Sequence, residues 1–395
     1  MSSFAELQSR LGEMLALNNP DGLVDHVVVE LPSFSVGESL LSHYADRIPS
    51  LEHRYLNAMF MLDRIESCEL VFVSCRAADP EVVEYCLSLL PAHRRAGVRQ
   101  RFRMFEVPDP SPRAVAAKLL DRPDLLEDLK RSFAGRPAFI EPWNVTSTEV
   151  DVALRLDAPI NGTPPDLWPT GFKSEGRRLF RKVGVPVAQG VEGVHDVDEV
   201  LAAIATIRLA RPTATGVVLK LDDSGAGDGN VVLDLRRPGD LRDALEALPG
   251  WYTADLAKGG VVEELVSGTR FTSPSAQIDV LPDGGVRVLA THEQVLGGNG
   301  NQVYMGCRFP ADPDYAARLA EFASAVGSEL GRRGVIGRAS VDFAAAQDAN
   351  GSWRLFSLEI NLRIGVTTHP YAALRNLVPG TYDPNDGCWR ADDGT

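Results

Sequence analysis

The chain has 395 residues, 40 basic and 54 acidic side chains, a formal net charge of −14, and is 44% hydrophobic and 24% charged. That length supplies two or three domains with buried cores, the composition excludes disordered and fibrous classes, and the acidic balance disfavours a broad nucleic-acid-binding face. No apolar run is long enough for a membrane span, MSSFAELQSR is not a secretory signal, and five cysteines without a CxxC pair fit reduced thiols, so a cytoplasmic protein is expected.

Asp25–Leu31 and Glu69–Ser74 read as buried strands, with apolar residues at helical spacing between them over Glu52–Ile65. Asp79-Pro80 opens a helix running to about Leu90, an N-cap followed by proline at the first helical position. Arg101–Val107 is a strand, Arg113–Leu120 and Leu125–Phe133 are helices, and Ala138–Ile140 is a further strand. Thr146–Glu149 has capping-box spacing. This alternation predicts an open, largely parallel sheet covered by helices. The Pro- and Gly-rich stretch Ala158–Gly171 marks the main boundary.

Beyond it, Ser174 is the predicted N-cap of a helix that Gly184 stops. Strands are predicted at Gly216–Leu221, Asn230–Leu235, Gly260–Val266, Phe271–Leu281, Gly285–Val295, Ile336–Ala344 and Trp353–Arg363, with a long helix over Pro313–Arg332.

Four segments carry chemistry. Lys173 heads the helix after the boundary. Lys220 ends a strand and is followed by the loop Ser224-Gly225-Ala226-Gly227-Asp228-Gly229. Alternate glycines let backbone N–H groups turn toward one anion, and a strand-borne lysine adds a fixed positive charge. The spacing is neither a Walker P-loop nor a strand–GxGxxG–helix fingerprint, and a plain glycine-rich hairpin is the bland reading. VVEELV, containing Glu263, Glu264 and Val266, suits a hinge whose backbone reads a base edge, although alone it is only an acidic strand. In WRLFSLEINLR, alternation puts Glu359, Asn361 and Arg363 on one face and Leu358, Ile360 and Leu362 on the other. An antiparallel return from Ser340–Phe343 would set Asp342 across from Glu359, an oxygen donor set suited to Mg²⁺. The bland reading is a half-buried strand with a solvated polar face.

The order of these segments, from Gly171 to Leu377, resembles the ATP-grasp enzymes. The preceding half, with LEHRYLNAMFML, ELVFVS, DPEVVEYCLSLLP and NGTPPDLWPTGFKSEGRRLF, is similar to the domain before ATP-grasp in peptide ligases of the pheganomycin type. So are SPSAQIDVLPDGG, THEQVLGGNGNQVYMGCRFP and EINLRIGVTTHPYAALRNL downstream. The resemblance implies an α/β chain: an N-terminal Rossmann-like pre-ATP-grasp domain over 1–165, then a two-lobed α+β ATP-grasp domain. Its central lobe would cover 166–262 and its C-terminal lobe with the metal site 263–380, leaving 381–395 as a short acidic tail. The larger relatives continue into a further C-terminal domain, and Gly268-Thr269-Arg270 stands where many relatives hold the ribose with an acid.

The resemblance implies that Lys173 and Lys220 contact ATP phosphates under the loop containing Ser224, Gly225, Gly227 and Gly229. Glu263, Glu264 and Val266 would form the adenine hinge, and Asp342, Glu359 and Asn361 would bind Mg²⁺, two ions in all, with Mn²⁺ as a substitute. Arg363 would steady the reacting acyl group, with Lys220 the second catalytic residue. His292, Gln294, Arg308 and His369 are substrate candidates; Arg308 suits a carboxylate because its guanidinium binds one through two hydrogen bonds. The expected reaction is ATP-dependent carboxylate–amine ligation through an acylphosphate in specialised metabolism, with small amino-acid or peptide substrates, no nucleic acid or membrane partner, and a homodimer as an option. The alternatives are a biotin-dependent carboxylase component, a small-molecule kinase, an inactive nucleotide-binding regulator, or a scaffold protein.

Overall fold

Val27–Val29 and Leu70–Val73 are fully buried, the pattern of interior parallel strands rather than of strands with one wet face. The computed structural model describes residues 3–394 apart from 37–40, 43, 225–228, 237–238 and 298–302, and among them the chain forms four sheets. The first is parallel, in the order β3 (Phe102–Glu106), β2 (Cys68–Ser74), β1 (His26–Leu31), β4 (Ala138–Pro142). Its two faces pack into separate cores. Val27, Val29, Leu31 and Ile140 face one core, and Val28, Leu70, Phe72 and Phe139 face the other. The capping box at Thr146 and the Asp79 cap are both made. Residues 52–65 differ from the expected single helix. Ile48–His53 is α-helical and Arg54–Asp63 is a 3₁₀ helix. Both helix types place residues three or four apart on one side, so periodicity alone does not separate them.

The boundary segment is less open than its composition suggests. Ile160 bridges to Ile140 in parallel, and 165–171 winds as a 3₁₀ turn. Gly337 must approach this segment closely. A Cβ there would lie 2.7 Å from the Asn161 carbonyl oxygen, and its φ of +90° also favours glycine.

The second sheet is antiparallel, in the order β5 (Gly190–Val194), β8 (Gly260–Glu264), β6 (Gly216–Leu221), β7 (Asn230–Asp234). Its core face holds Val217, Leu219, Leu221 and Val262 against the helix Val197–Ala210. The opposite face presents Lys220 and Glu263 to the helix Lys173–Lys182.

The third sheet runs β12 (Val303–Arg308), β11 (Val286–Gly297), β10 (Pro274–Val280), β13 (Gly337–Gln347), β14 (Trp353–Asn361), with β9 (Arg270–Thr272) on β13. The expected strand Phe271–Leu281 is thus divided between β9 and β10, with Ser273 outside both. One face packs Ala276, Ile278, Val341, Phe343 and Ile360 against the helix Ala316–Arg332. A register shift corrects the expected faces of β14. Asp342 pairs with Glu359, but Phe343 pairs with Ser357, leaving Leu358 as the extra residue. Leu355 and Trp353 then join Ile360 and Leu362 on the core, because a bulge flips the alternation.

Residues 381–395 are not a simple tail. Gly380–Asp383 and Cys388–Ala391 pair as the hairpin β15–β16, and the Tyr382 hydroxyl lies 2.8 Å from Thr291 Oγ1. A hairpin can start there because Tyr382 and Trp389 find apolar neighbours, Trp389 packing edge-on to Tyr371. Among the described residues, no helix is long and apolar enough to cross a membrane.

Candidate active site

The polar face of the third sheet follows from its register. Ser275 pairs with both His292 and Asp342, Asp342 with Glu359, and Ser340 with Asn361. Cross-strand partners share a face, so Ser275, His292, Asp342 and Glu359 form one row, with Gln277, Ser340 and Asn361 beside it. The helix Lys173–Lys182 brings the second sheet against this row. Lys173 Nζ pairs with Glu359 Oε2 at 3.0 Å and also donates to the Ser224 carbonyl. Lys220 Nζ pairs with Glu263 Oε2 at 2.6 Å. Two lysines, three carboxylates and an amide thus converge between the sheets.

The electrostatics suit a cation. Burial, then repulsion from Glu359, push Asp342 up to about 7. Burial also disfavours the Glu359 carboxylate, but the Lys173 ammonium outweighs it and holds Glu359 below its ordinary range. Asn361 Nδ2 donates to Asp342 Oδ2 at 3.2 Å and to Glu359 Oε1 at 3.4 Å. Two facing carboxylates and an amide on rigid strands are a hard donor set that fits Mg²⁺, which would relieve their repulsion. Among the described residues, no group of three or more His, Cys, Asp or Glu gathers at one point.

Arg363 is braced on both sides. Its Nη2 donates to Asn361 Oδ1 at 3.2 Å, and its guanidinium lies 5.1 Å from the Trp143 ring centre. The loop stems are fixed by backbone contacts: Leu221 N–H donates to the Gly229 carbonyl, which also accepts from the Tyr252 hydroxyl at 3.0 Å. Ser224 Oγ donates to the Leu221 carbonyl at 3.0 Å. Gly225 and Gly227 lie outside the described residues.

Several expectations are sharpened or corrected. Ser174 is not the N-cap of its helix; Phe172 holds that place. The Ser174 N–H is satisfied instead by Asp222 Oδ1 at 2.8 Å, because Asp222 follows β6 into contact with the helix start. Glu263 is buried and faces Lys220 and Arg177, whereas Glu264 points toward Arg211, with Arg211 Nε 3.1 Å from Oε2. Val266 is half-buried where the chain leaves β8 for the third sheet. Arg308 pairs with Glu293, one residue out of phase with His292 and Gln294, so it belongs to the opposite face and is exposed. The alternation of side chains along β11 is the physical reason. Gln294 shares the polar face. His369 lies beside Tyr55, its carbonyl held by Asn57 Nδ2 at 2.7 Å, and burial followed by Arg54 pushes its imidazole down to about 4.

His292 is 1% exposed, and among the described residues neither ring nitrogen has a hydrogen-bond partner. Burial pushes it down to about 3. An unfolded histidine titrates near 6.5, so the stability of the neutral ring is complete above about pH 6.5 and is lost as pH falls toward the folded value. Between pH 6.5 and 5 the loss amounts to about 2 kcal/mol. Urea unfolding should therefore show wild type losing about 2 kcal/mol more than His292→Leu over that interval. Equal losses would mean that the folded ring is not kept neutral.

Sequence reasoning missed Arg177, the largest fully buried side chain among the described residues. It donates to Glu192 Oε1 at 2.6 Å, Glu263 Oε1 at 2.8 Å and the Ala188 carbonyl at 2.8 Å. Gly190 is required beside it, since a Cβ there would lie 2.7 Å from Arg177 Nη2. A signal existed: Arg177 is four residues after Lys173 and three before Phe180, on the buried stripe of the helix. Ser275 and Gln277, alternating with Ala276 and Ile278, were legible in the same way.

Residues 249–373 match the family model described as IQCH-like, ATP-grasp. Over 378 residues the chain is 32% identical to the L-propargylglycine–L-glutamate ligase of Streptantibioticus cattleyicolor, covering 89% of this chain and 76% of that protein. A biotin carboxylase complex with β,γ-ATP from Campylobacter jejuni superposes with a TM-score of 0.57 at 15% identity, covering 89% of this chain and 68% of the other. The ADP complex of an N5-carboxyaminoimidazole ribonucleotide synthetase gives a TM-score of 0.52 at 14% identity, covering 88% and 72%. At these identities the structural likeness establishes the fold.

Proposed function

The chain belongs to the ATP-grasp amino-acid ligases, and from that premise we propose that it activates an amino-acid carboxylate with ATP as an acylphosphate and joins it to the amine of a second amino acid or peptide, releasing ADP and phosphate. The observation that carries this reading is the convergence of Lys173 and Lys220 with Asp342, Glu359, Asn361 and Arg363 between two sheets. The division expected from the sequence serves it with one shift, since β8 runs to Glu264: a pre-ATP-grasp domain over 1–165, a central lobe that includes all of β8, and a C-terminal lobe after it.

Each residue has a physical task. Lys173 and Lys220 leave their carboxylate partners to neutralise phosphate oxygens, a preorganised charge that need not be assembled during reaction. The stems of the 224–229 loop are held at Ser224 and Gly229, and we assign to this segment the task of covering the phosphates and excluding water that would hydrolyse a mixed anhydride. Arg363, fixed by Asn361 and Trp143, stabilises oxyanion charge on the acyl carbon's oxygen. Asp342, Glu359 and Asn361 would hold Mg²⁺, which would supply Lewis-acid charge neutralisation for phosphoryl transfer. Glu263 and Glu264 precede Val266 in the segment we assign to the adenine. On the pattern of the 32% identical relative, the substrates are small α-amino acids, with L-propargylglycine and L-glutamate the first pair to try, in a cytoplasmic setting.

The test is a panel of L-amino acids, including that pair, with Mg²⁺–ATP and hydroxylamine. Mass spectrometry should find one hydroxamate, which identifies the activated carboxylate, together with ADP. AMP in place of ADP would replace acylphosphate chemistry with adenylation, and turnover that requires bicarbonate would move the reading to a carboxylase.

A further inference from the structure

A second charged cluster lies outside the nucleotide cleft, where the first sheet meets the third. Glu30 on β1 and Glu141 on β4 are direct register partners. Glu30 is 6% exposed and makes no hydrogen bond or ion pair among the described residues. Glu141 accepts one hydrogen bond, from Asn161 Nδ2 at 2.8 Å. Both carboxyls face Arg338 of β13, but Arg338 Nε is already bonded to Asp279 Oδ1 at 2.6 Å. Three acids thus surround one guanidinium, and the cluster is short of positive charge. Burial, then the repulsion from Glu141, push Glu30 well above the usual carboxylate range, and burial lifts Glu141 to about 7.

The surroundings connect this cluster to the reaction centre. The Tyr55 hydroxyl sits in the combined field of Arg363, Glu30 and Arg54. Phe34 packs on Trp143 with ring centres 4.6 Å apart, and Trp143 carries Arg363 on its face. The Trp143 carbonyl also accepts from Ile364 N–H at 3.0 Å, locking the end of β4 to the segment after Arg363. The Arg54 side chain is exposed and makes no ion pair or hydrogen bond among the described residues.

We propose that Glu30 and Glu141 form the ammonium subsite for the acceptor amino acid, with Arg54 taking its carboxylate, so that its amine is presented beside Arg363. This rests on the ligase reading and deepens it. A buried carboxylate without a partner is costly, and a substrate ammonium supplies the missing charge and its hydrogen bonds. The two ends of a zwitterion are thus met by opposite charges, a pattern that selects α-amino acids over simple amines.

The test uses the full chain with the donor and acceptor that wild type couples in the amino-acid panel. Glu30→Gln should raise KM for the acceptor at least tenfold, while KM for ATP and hydroxamate formation from the donor stay within twofold. Arg54→Ala, on an exposed side chain whose loss does not disturb a core, should raise the acceptor KM as well and carries the test if Glu30→Gln fails to fold. An unchanged acceptor KM, or a rise confined to the donor, would overturn the subsite while leaving the ligase reading intact. A wild-type protein that forms neither hydroxamate nor ADP with any amino acid would instead remove the ligase reading, and the subsite with it.

Discussion

Glu359→Gln is expected to lower ligation and ADP formation by about 10²–10³-fold at saturating Mg²⁺–ATP, the scale seen when one electrostatic stabiliser of a transition state is lost. The exchange keeps the side chain's size, so β14 and its pairing with Asp342 persist. It removes the negative charge that pairs with Lys173 and faces Asp342. Removing that charge also relieves one cause of the high Asp342 value, so Asp342 should titrate lower in the variant. Turnover under Mg²⁺ titration, with circular dichroism and the thermal midpoint as controls for folding, checks the result. Activity within twofold of wild type would remove Glu359 from the metal and phosphate machinery.

Arg177→Ala is expected to destabilise the protein by about 3–5 kcal/mol, the range for breaking a buried ion pair by deleting one partner. The side chain is 1% exposed and serves three acceptors on three segments. Its removal leaves the Ala188 carbonyl short of a donor and Glu263 dependent on Lys220 alone. Burial disfavours the Glu192 carboxylate, but Arg177 and Arg181 together hold it below its usual range, so Glu192 would rise. Drawing Lys220 more firmly to Glu263 should also raise KM for ATP. Arg177→Lys should recover little, since an ammonium cannot satisfy three divergent acceptors as a planar guanidinium does. Urea unfolding checks the first effect, and a loss under about 1 kcal/mol would mean the network is not a structural anchor.

Much of the cleft was legible because its residues lie in short local patterns. Lys220 at a strand end before a glycine loop, and Glu359 alternating with Asn361, depend only on the period of a strand. The pairing of Asp342 with Glu359 followed from a turn between two strands close in sequence. Arg308 was misplaced for the converse reason. Its face depends on the register of β12 against β11, across residues 298–302, and a one-residue difference reverses every side chain. Leu358 failed through a bulge, which no alternation rule anticipates. Arg177 was passed over because a charged residue in a helix is ordinarily solvated, and only its contacts with Glu192 and Glu263, on a sheet formed later in the chain, reveal why it is buried.

A net charge of −14 goes with the absence of a broad cationic surface, and the site accords with it: positive charge is concentrated at Lys173, Lys220, Arg177 and Arg363, each against acids or an aromatic ring. The sequence by itself determined the parallel first half, the strand-borne Lys220, the lysine heading the next helix and the acid–amide pair, because period, capping and turn chemistry act over a few residues. Only the tertiary structure decided which acids meet which cations, that Glu30 and Glu141 end beside Arg338, and that Trp143 supports Arg363. Those contacts join residues from separate elements, up to about three hundred positions apart in the case of Glu30 and Arg338, where burial and charge compensation in three dimensions, rather than local propensity, set the outcome.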